Sequence, residues 1–152
     1  DRGCFAHVLA INVLGVVHGT QVYVHHRRRV GGGGVLINIS SGAAQNAYAG
    51  WSAYCASKAA VDRFSEAVAL EEADTPLRVH AVAPGVVDTD MQRRIRGATV
   101  EQFPAVAKFH QLKAEGRFNS PDHVARELLA MAFDPRRRPD QVVVRVADQG
   151  SG

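Results

Sequence analysis

The sequence SSGAAQNAYAGWSAYCASK, from Ser40 to Lys58, contains the residues that decide the prediction of the fold and of its chemistry. Tyr54 and Lys58 lie four positions apart, so on a helix their side chains share one face, with Cβ atoms about 5–6 Å apart. A phenol has a pKa of about 10 in water, and a neighbouring cation lowers it. The pair therefore predicts general acid–base chemistry on a carbonyl or an alcohol, although an amphipathic helix with a surface tyrosine and lysine has the same spacing.

A continuous apolar segment, Val35 to Ser40, precedes this region and predicts a parallel strand covered on both faces. Ser41 follows at its carboxyl end, where ligands bind in open α/β sheets. From its position alone, Ser40 is an equally good candidate for a polar contact to a ligand. Before the strand, Gly31 to Gly34 predict a flexible loop, without the glycine spacing of a phosphate-binding turn.

The other elements follow from apolar spacing and from helix-ending residues. A long first helix is predicted from Phe5 to about Arg29, and a second from Trp51 to about Ala73. The remaining predicted elements are a strand at 78–83, a weakly helical region at 91–116 broken by Pro104, a helix at 121–133 capped by Ser120, and a strand at 141–147.

The motifs around the tyrosine resemble the catalytic half of the short-chain dehydrogenase/reductase superfamily. They are the strand VLINIS, Ser41 placed thirteen residues before the Y-x-x-x-K motif, and RVHAVAPGVVDTDM. Within the superfamily, GWSAYCASKAA, ALEE, APGVVDTDMQ and LKAEG are most similar to the sepiapterin reductase and benzil reductase group. The resemblance extends from about Phe5 to Asp148.

This resemblance implies an α/β fold, the C-terminal half of a Rossmann-like doubly wound parallel sheet, with about three strands and flanking helices. Residues 1–152 would form a single partial domain that lacks the N-terminal dinucleotide-binding half, beginning where the fourth helix of the family begins. The strand at 35–40 would then lie at an open edge of the sheet. The family also implies a dimer formed through the first two helices.

The resemblance also assigns roles to individual residues. It implies catalytic roles for Asn12, Ser41, Tyr54 and Lys58. It implies cofactor contacts for Tyr54, Lys58, Pro84, Gly85, Val87 and Thr89. It implies substrate contacts for Ser41, Trp51, Met91, Gln92 and Asp148. Two of these roles have plain structural alternatives, namely a buried amide bonded to backbone for Asn12 and an exposed terminal carboxylate for Asp148.

The function implied is NADPH-dependent reduction of a small ketone or α-diketone to an alcohol. NAD stays open as the cofactor, because the residues that contact the ribose 2′ position would lie in the other half of the fold. An alternative is a truncated, inactive remnant that at most dimerises. A serine hydrolase is disfavoured, because no G-x-S-x-G motif surrounds Ser41.

Composition limits the other classes of function. The 152 residues are 46% hydrophobic and 22% charged with a net charge of +3, which is ordinary for one globular domain. The basic runs at 27–29 and 136–138 lack neighbouring aromatic residues, so nucleic-acid binding is not predicted. No metal site is predicted, because the seven histidines lack ligand spacing. Two cysteines predict reduced thiols, and the apolar run at 8–17 is too short for a membrane span, so a cytoplasmic location is predicted.

Overall fold

The computed structural model describes residues 2–149, with side chains from Phe5 onward. Three strands alternate with six α-helices within that range. The strands are β1 (Gly34–Ile39), β2 (Leu77–Ala83) and β3 (Val143–Arg145). The helices are α1 (Arg2–Leu9), α2 (Gly15–Val30), α3 (Ser52–Glu71), α4 (Asp90–Arg96), α5 (Val106–Ala114) and α6 (Pro121–Phe133).

The strands form one parallel sheet in the order β1-β2-β3. β1 pairs with β2 along its whole length, and the Ser40 amide extends the ladder by donating to the Val82 carbonyl at 2.9 Å. β3 is shorter than the predicted strand at 141–147. The predicted α/β fold with three parallel strands is confirmed, and β1 lies at one edge of this sheet.

Helices cover both faces of the sheet, as a doubly wound fold requires. On one face, a buried cluster joins the sheet to α2 and α3 and consists of Val24, Val68, Leu77 and Val79. On the other face, a cluster joins the sheet to α6 and consists of Val82, Met131 and Val146. Each buried valine or leucine side chain contributes about 1.5–3 kcal/mol of transfer free energy, so these clusters stabilise the sheet on which the site is built.

A third buried cluster lies away from the sheet, under the segment that contains α4 and α5. It consists of Phe103, Val106 and Phe109, with Tyr48 and Trp51 packed against it. The Trp51 and Phe103 rings stack with centroids 4.4 Å apart and planes 5° from parallel. This aromatic cluster holds the 91–116 region, which was predicted only as weakly helical, against the beginning of α3.

The first helix extends over the predicted range but contains an irregularity that was not predicted. Between α1 and α2, Ala10–Leu14 form a π-helical turn. Such turns are rare and occur frequently at functional sites. Asn12 lies within this turn, so its direction is set by the irregular backbone.

By length and composition, the helical span Phe5–Val30 also meets the requirement for crossing a membrane, with 26 residues and a hydropathy of 1.4. The sequence prediction considered only the uninterrupted apolar run at 8–17 and did not identify this longer span. It is weak evidence for a span, because helices that pack in other proteins pass the same test. Here Thr20 and Val24 are buried against the sheet. The cytoplasmic location stays a prediction.

Candidate active site

A cavity of about 570 Å³ lies at the carboxyl ends of the three strands. Its walls come from the β1–α3 connection, from α3, from the loop after β2 and from the α4–α5 segment. The predicted site residues that line it are Ser41, Trp51, Tyr54, Lys58, Pro84, Gly85, Val87, Thr89, Met91, Gln92 and Asp148. Of the predicted site residues, only Asn12 lies outside this cavity.

The two adjacent serines at the end of β1 face different surroundings. Ser40 is buried, and its hydroxyl donates to Oδ1 of Asp62 on α3. Ser41 is half-buried at the cavity wall, and its Oγ accepts a hydrogen bond from the Ala43 amide at 3.2 Å, which caps a short 3₁₀ turn. Because the Ser40 hydroxyl already donates to Asp62, Ser41 is the serine whose hydroxyl is available to a ligand.

Tyr54 and Lys58 occupy successive turns of α3, and both line the cavity. Nζ of Lys58 lies 5.8 Å from the centroid of the Tyr54 ring and donates to the Ile39 carbonyl at 2.9 Å. This hydrogen bond fixes the lysine against the end of β1. Within residues 2–149 no group is hydrogen-bonded to the Tyr54 hydroxyl, so the structure leaves it free to meet a ligand.

The pKa of the Lys58 ammonium lies below its usual value. Burial lowers the pKa of its ammonium, and the carboxylate of Asp62, one turn further along α3, raises it. Asp62 is affected in turn: burial raises its pKa, the Ser40 hydroxyl lowers it, Glu66 raises it and Lys58 lowers it. Tyr54, Lys58 and Asp62 therefore form one row on α3.

Asn12 contacts α3 at Ser57, the residue before Lys58. Its Nδ2 donates to Oγ of Ser57 at 3.1 Å, and that hydroxyl donates to the Tyr54 carbonyl at 2.8 Å. Asn12 lines a second cavity of about 480 Å³, and Lys58 is the predicted catalytic residue that borders both cavities. Asn12 and Lys58 therefore share the second cavity.

The loop after β2 offers backbone groups to the cavity. Val87 forms an isolated parallel bridge with Asn119, and this bridge uses the Val86 carbonyl and the Asp88 amide. It therefore leaves the amide and carbonyl of Val87 itself for the opposite, cavity side. A donor and an acceptor side by side match a carboxamide, so the loop fits the nicotinamide end of a dinucleotide.

The predicted substrate-side residues differ in exposure. Trp51 and Gln92 are largely withdrawn from solvent, whereas Met91 is 56% exposed. Tyr48 adds a second ring to this wall, and its hydroxyl accepts from Nζ of Lys108 at 3.1 Å. The wall is mainly apolar and aromatic, with a cation at its rim.

Asp148 also lines the cavity. Its Oδ1 accepts from Arg145 at 2.8 Å, and Nη2 of Arg117 lies 3.7 Å from its Oδ2. Asp148 is therefore not a free terminal carboxylate, because two arginines hold it at the cavity.

The sequence profile of the short chain dehydrogenase family matches residues 1–99 of this chain. The chain belongs to the short chain dehydrogenase family. A benzil reductase ((S)-benzoin forming) of Bacillus cereus is 39% identical over 138 residues, covering 90% of this chain and 55% of that protein. A diacetyl reductase [(S)-acetoin forming] of Staphylococcus aureus is 32% identical over 133 residues, covering 84% of this chain and 52% of that protein.

Solved structures agree with this assignment. The KRED1-Pglu enzyme superposes with a TM-score of 0.81 at 28% identity, covering 96% of this chain and 60% of that one. A 4-hydroxyisoleucine dehydrogenase complexed with NADH has the same fold, with a TM-score of 0.73 at 19% identity and coverage of 97% and 59%. The chain thus spans about half the length of the curated relatives it matches. The predicted family is confirmed.

Two features of the site were missed by sequence reasoning. Asp62 lies four residues after Lys58, and this spacing could have indicated its place on the same helix face. Asn119 contacts the loop after β2 from more than 30 residues further along the chain, and no local pattern indicates such a contact.

Proposed function

We propose that this chain is the catalytic part of a nicotinamide-dependent reductase that converts one carbonyl of a small ketone or α-diketone to an alcohol. The observation that carries the proposal is that Ser41, Tyr54 and Lys58 line one cavity with a loop whose free backbone groups suit a carboxamide. Both named relatives with known products act on vicinal diketones, as their names state.

Tyr54 is the proposed proton donor. Its hydroxyl reaches the cavity without a partner among the described residues, so it can meet a carbonyl oxygen there. Ser41 lies on the same cavity and can donate its own hydroxyl hydrogen to that oxygen, since its Oγ already accepts from a backbone amide. Two donors on one oxygen polarise the carbonyl and stabilise the charge that develops on it. A bound reduced nicotinamide supplies the hydride.

Lys58 has the proposed role of holding charge beside the phenol. Its ammonium lies beside the Tyr54 ring and stabilises negative charge left on the phenol oxygen after proton donation. Because Lys58 borders both cavities, a proton can return to the site from the side where Asn12 lies. Asn12 would order water in that second cavity and so refill the proton path.

The substrate class follows from the cavity wall and the names of the relatives. Tyr48 and Trp51 line the cavity beside Tyr54 with the buried Phe103 and Phe109 packed against them, and this aromatic wall suits an aryl or short alkyl ketone. Met91 and Gln92 would close the wall from α4. The resemblance to sepiapterin reductases offers a second substrate class, a pterin-type ring held by Asp148. Two arginines already contact that carboxylate.

The proposed cofactor is NADPH, with NAD as the alternative. Pro84, Gly85, Val87 and Thr89 would contact the nicotinamide end, and Lys58 the neighbouring ribose. We also propose a dimer through the first helix and α3. Exposed apolar side chains on these helices support it, namely Ile11, Leu14, Val22 and Leu70. The molecular mass in solution tests this association.

Replacing Tyr54 by phenylalanine tests the proposed acid. Tyr54→Phe removes one oxygen and leaves the ring against Trp51, so we expect carbonyl reduction to fall by about a hundredfold to ten-thousandfold. Turnover of benzil and diacetyl is followed as loss of NADPH absorbance at millimolar cofactor. NADPH binding, followed by fluorescence of Trp51, the single tryptophan, is expected to stay near the wild-type value.

Tyr23→Phe is the matched control, since the chain has three tyrosines and Tyr23 packs on α2 against the core. It loses the same atom and is expected to keep wild-type turnover. Undiminished turnover in Tyr54→Phe would remove the proposed acid. Absence of NADPH binding by the unaltered chain would favour the alternative of an inactive remnant.

A further inference from the structure

Asn119 is a completely buried polar residue between α5 and α6, with 0% of its surface exposed. None of the roles derived above uses its side chain. A buried amide is stable only when its donors and acceptors are paired, so its partners indicate what it holds together. All of its hydrogen bonds within the described residues go to the loop after β2 or to the C-terminal segment.

The side-chain amide joins these two segments directly. Nδ2 of Asn119 donates to the Pro84 carbonyl at 2.9 Å, and Oδ1 accepts from the Gln149 amide at 2.7 Å. A carbonyl can only accept and a backbone amide can only donate, so the two contacts fix the orientation of the side chain. Gln149 is adjacent to Asp148, which lines the cavity.

The backbone of Asn119 holds the same loop further along. Its amide donates to the Val86 carbonyl at 2.8 Å, and its carbonyl accepts from the Asp88 amide at 3.0 Å. These two bonds leave the amide and carbonyl of Val87 on the side away from Asn119, and Val87 lines the cavity. The residue therefore contacts the loop at three points, Pro84, Val86 and Asp88.

Gly85 shows how closely the amide approaches. This glycine has a φ of +76°, and a Cβ built on it would lie 2.7 Å from Nδ2 of Asn119. Both the backbone conformation and the contact require glycine here. The Asn119 amide thus occupies the space beneath the loop that a side chain at position 85 would fill.

We propose that Asn119 is the positioning residue of the nicotinamide-binding loop, holding residues 84–88 so that Val87 presents its backbone groups to the cofactor. It also couples this loop to the C-terminal segment that carries Asp148 at the substrate side. The inference rests on the proposed function, because it assumes that Val87 binds the carboxamide. Its role is indirect, since Asn119 does not line the cavity.

Two substitutions separate the two halves of the amide. Asn119→Asp keeps an oxygen for the Gln149 amide but places a second oxygen against the Pro84 carbonyl. Asn119→Ala removes both side-chain bonds. Ser120→Ala is the stability control, because it removes the α6 cap, in which Ser120 Oγ accepts from the His123 amide at 3.2 Å, and no contact to Pro84.

Cofactor affinity is measured on the whole chain by energy transfer from Trp51 to the dihydronicotinamide of NADPH. We expect both Asn119 variants to bind NADPH about tenfold more weakly than the unaltered chain, since each loses the bond to Pro84. Ser120→Ala should lower the melting temperature and leave the affinity unchanged. Affinities within twofold of wild type in both Asn119 variants would overturn the inference while the proposed function stood.

Amide hydrogen exchange gives a second readout that needs no cofactor. The Gln149 amide should exchange faster in Asn119→Ala but not in Asn119→Asp, whereas the Asp88 amide should exchange faster in both. If the unaltered chain fails to bind NADPH, the proposed function fails, and the Asp88 amide still decides the inference. Unchanged exchange at Asp88 in both variants would show that Asn119 does not hold the loop.

Discussion

The two ends of the parallel sheet use polar residues in opposite ways. At the amino end of β2, the buried Glu72 carboxylate is paired with Arg28 and accepts a hydrogen bond from the Thr75 hydroxyl at 3.2 Å. At the carboxyl end, Ser41 and Tyr54 face a cavity, and each retains hydrogen-bonding capacity for a ligand. Glu72 is thus paired within the protein, whereas Ser41 and Tyr54 keep hydrogen-bonding groups that a ligand can use.

The adjacent serines show the same contrast over a single peptide bond. Both serines line the cavity, but the Ser40 hydroxyl donates to Asp62 within the protein, whereas the Ser41 hydroxyl keeps its hydrogen for a ligand. Substitutions at the cavity should therefore change activity more than stability, and substitutions at paired groups should change stability more than activity.

Of the substitutions that test this comparison, Ser41→Ala is expected to have the largest effect. Ser41→Ala removes a donor to the carbonyl oxygen and should lower turnover about a hundredfold, while loss of the cap on the short 3₁₀ turn should lower the free energy of unfolding by only about 0.5 kcal/mol. Ser40→Ala is the matched variant and should lower stability by about 1 kcal/mol with a much smaller loss of turnover. NADPH oxidation and urea unfolding measure the two quantities. Equal effects of the two substitutions on turnover would break the contrast between the serines.

A somewhat smaller effect is expected at the other end of the sheet. Glu72→Ala removes the partner of the half-exposed Arg28 and one of the two acceptors of the Thr75 hydroxyl, and should cost about 2 kcal/mol of unfolding free energy. Urea unfolding measures this, with Glu71→Ala as the exposed neighbouring control. A loss of NADPH binding without a loss of stability would show that this end also serves the site.

The smallest effect is a dependence of stability on pH at His80. His80 is buried on β2 with Nδ1 3.0 Å from the Gln141 carbonyl, and burial lowers its pKa below 6.5, opposed by this hydrogen bond. Between the lowered pKa and 6.5 the unfolded chain binds the proton and the folded chain does not, so stability falls as pH falls below 6.5.

His80→Asn places an uncharged amide nitrogen near the position of Nδ1, so it should remove this part of the pH dependence. Urea unfolding at pH 5, 6 and 7.5 compares the two chains. Parallel pH profiles for the variant and the unaltered chain would show that His80 is not the group responsible.

Much of the fold was predictable because its signals are local. Ser120 followed by Pro121 predicts the start of α6, and the structure shows the Ser120 side chain capping that helix. The apolar segment before Ser41 predicted β1 to within one residue at either end. Such signals need only the chemistry of residues near one another in sequence.

The missed features depend on contacts between distant segments. Asn38 and Ser40 lie two positions apart at the end of β1, so their side chains point to the same face of the sheet. Asn38 donates to Ser65 of α3 at 3.0 Å, and Ser40 donates to Asp62 of α3. Strand period could have indicated that these two residues share a face, but it could not identify the partners. For the same reason Asn119 was not predicted, because its role exists only once α6 and the C-terminal segment are folded against the loop.

The π-helical turn at Ala10–Leu14 has a consequence for how this chain tolerates changes in length. A π turn holds one residue more than an α turn, so deleting a single residue there would restore a regular helix. Because the π turn absorbs the extra residue, the helical segments on either side would keep their relative orientation after the deletion. The change would be confined to the turn that carries Asn12, so the removal of one codon would act on the contact between Asn12 and Ser57 of α3 and leave the rest of the first helix in place.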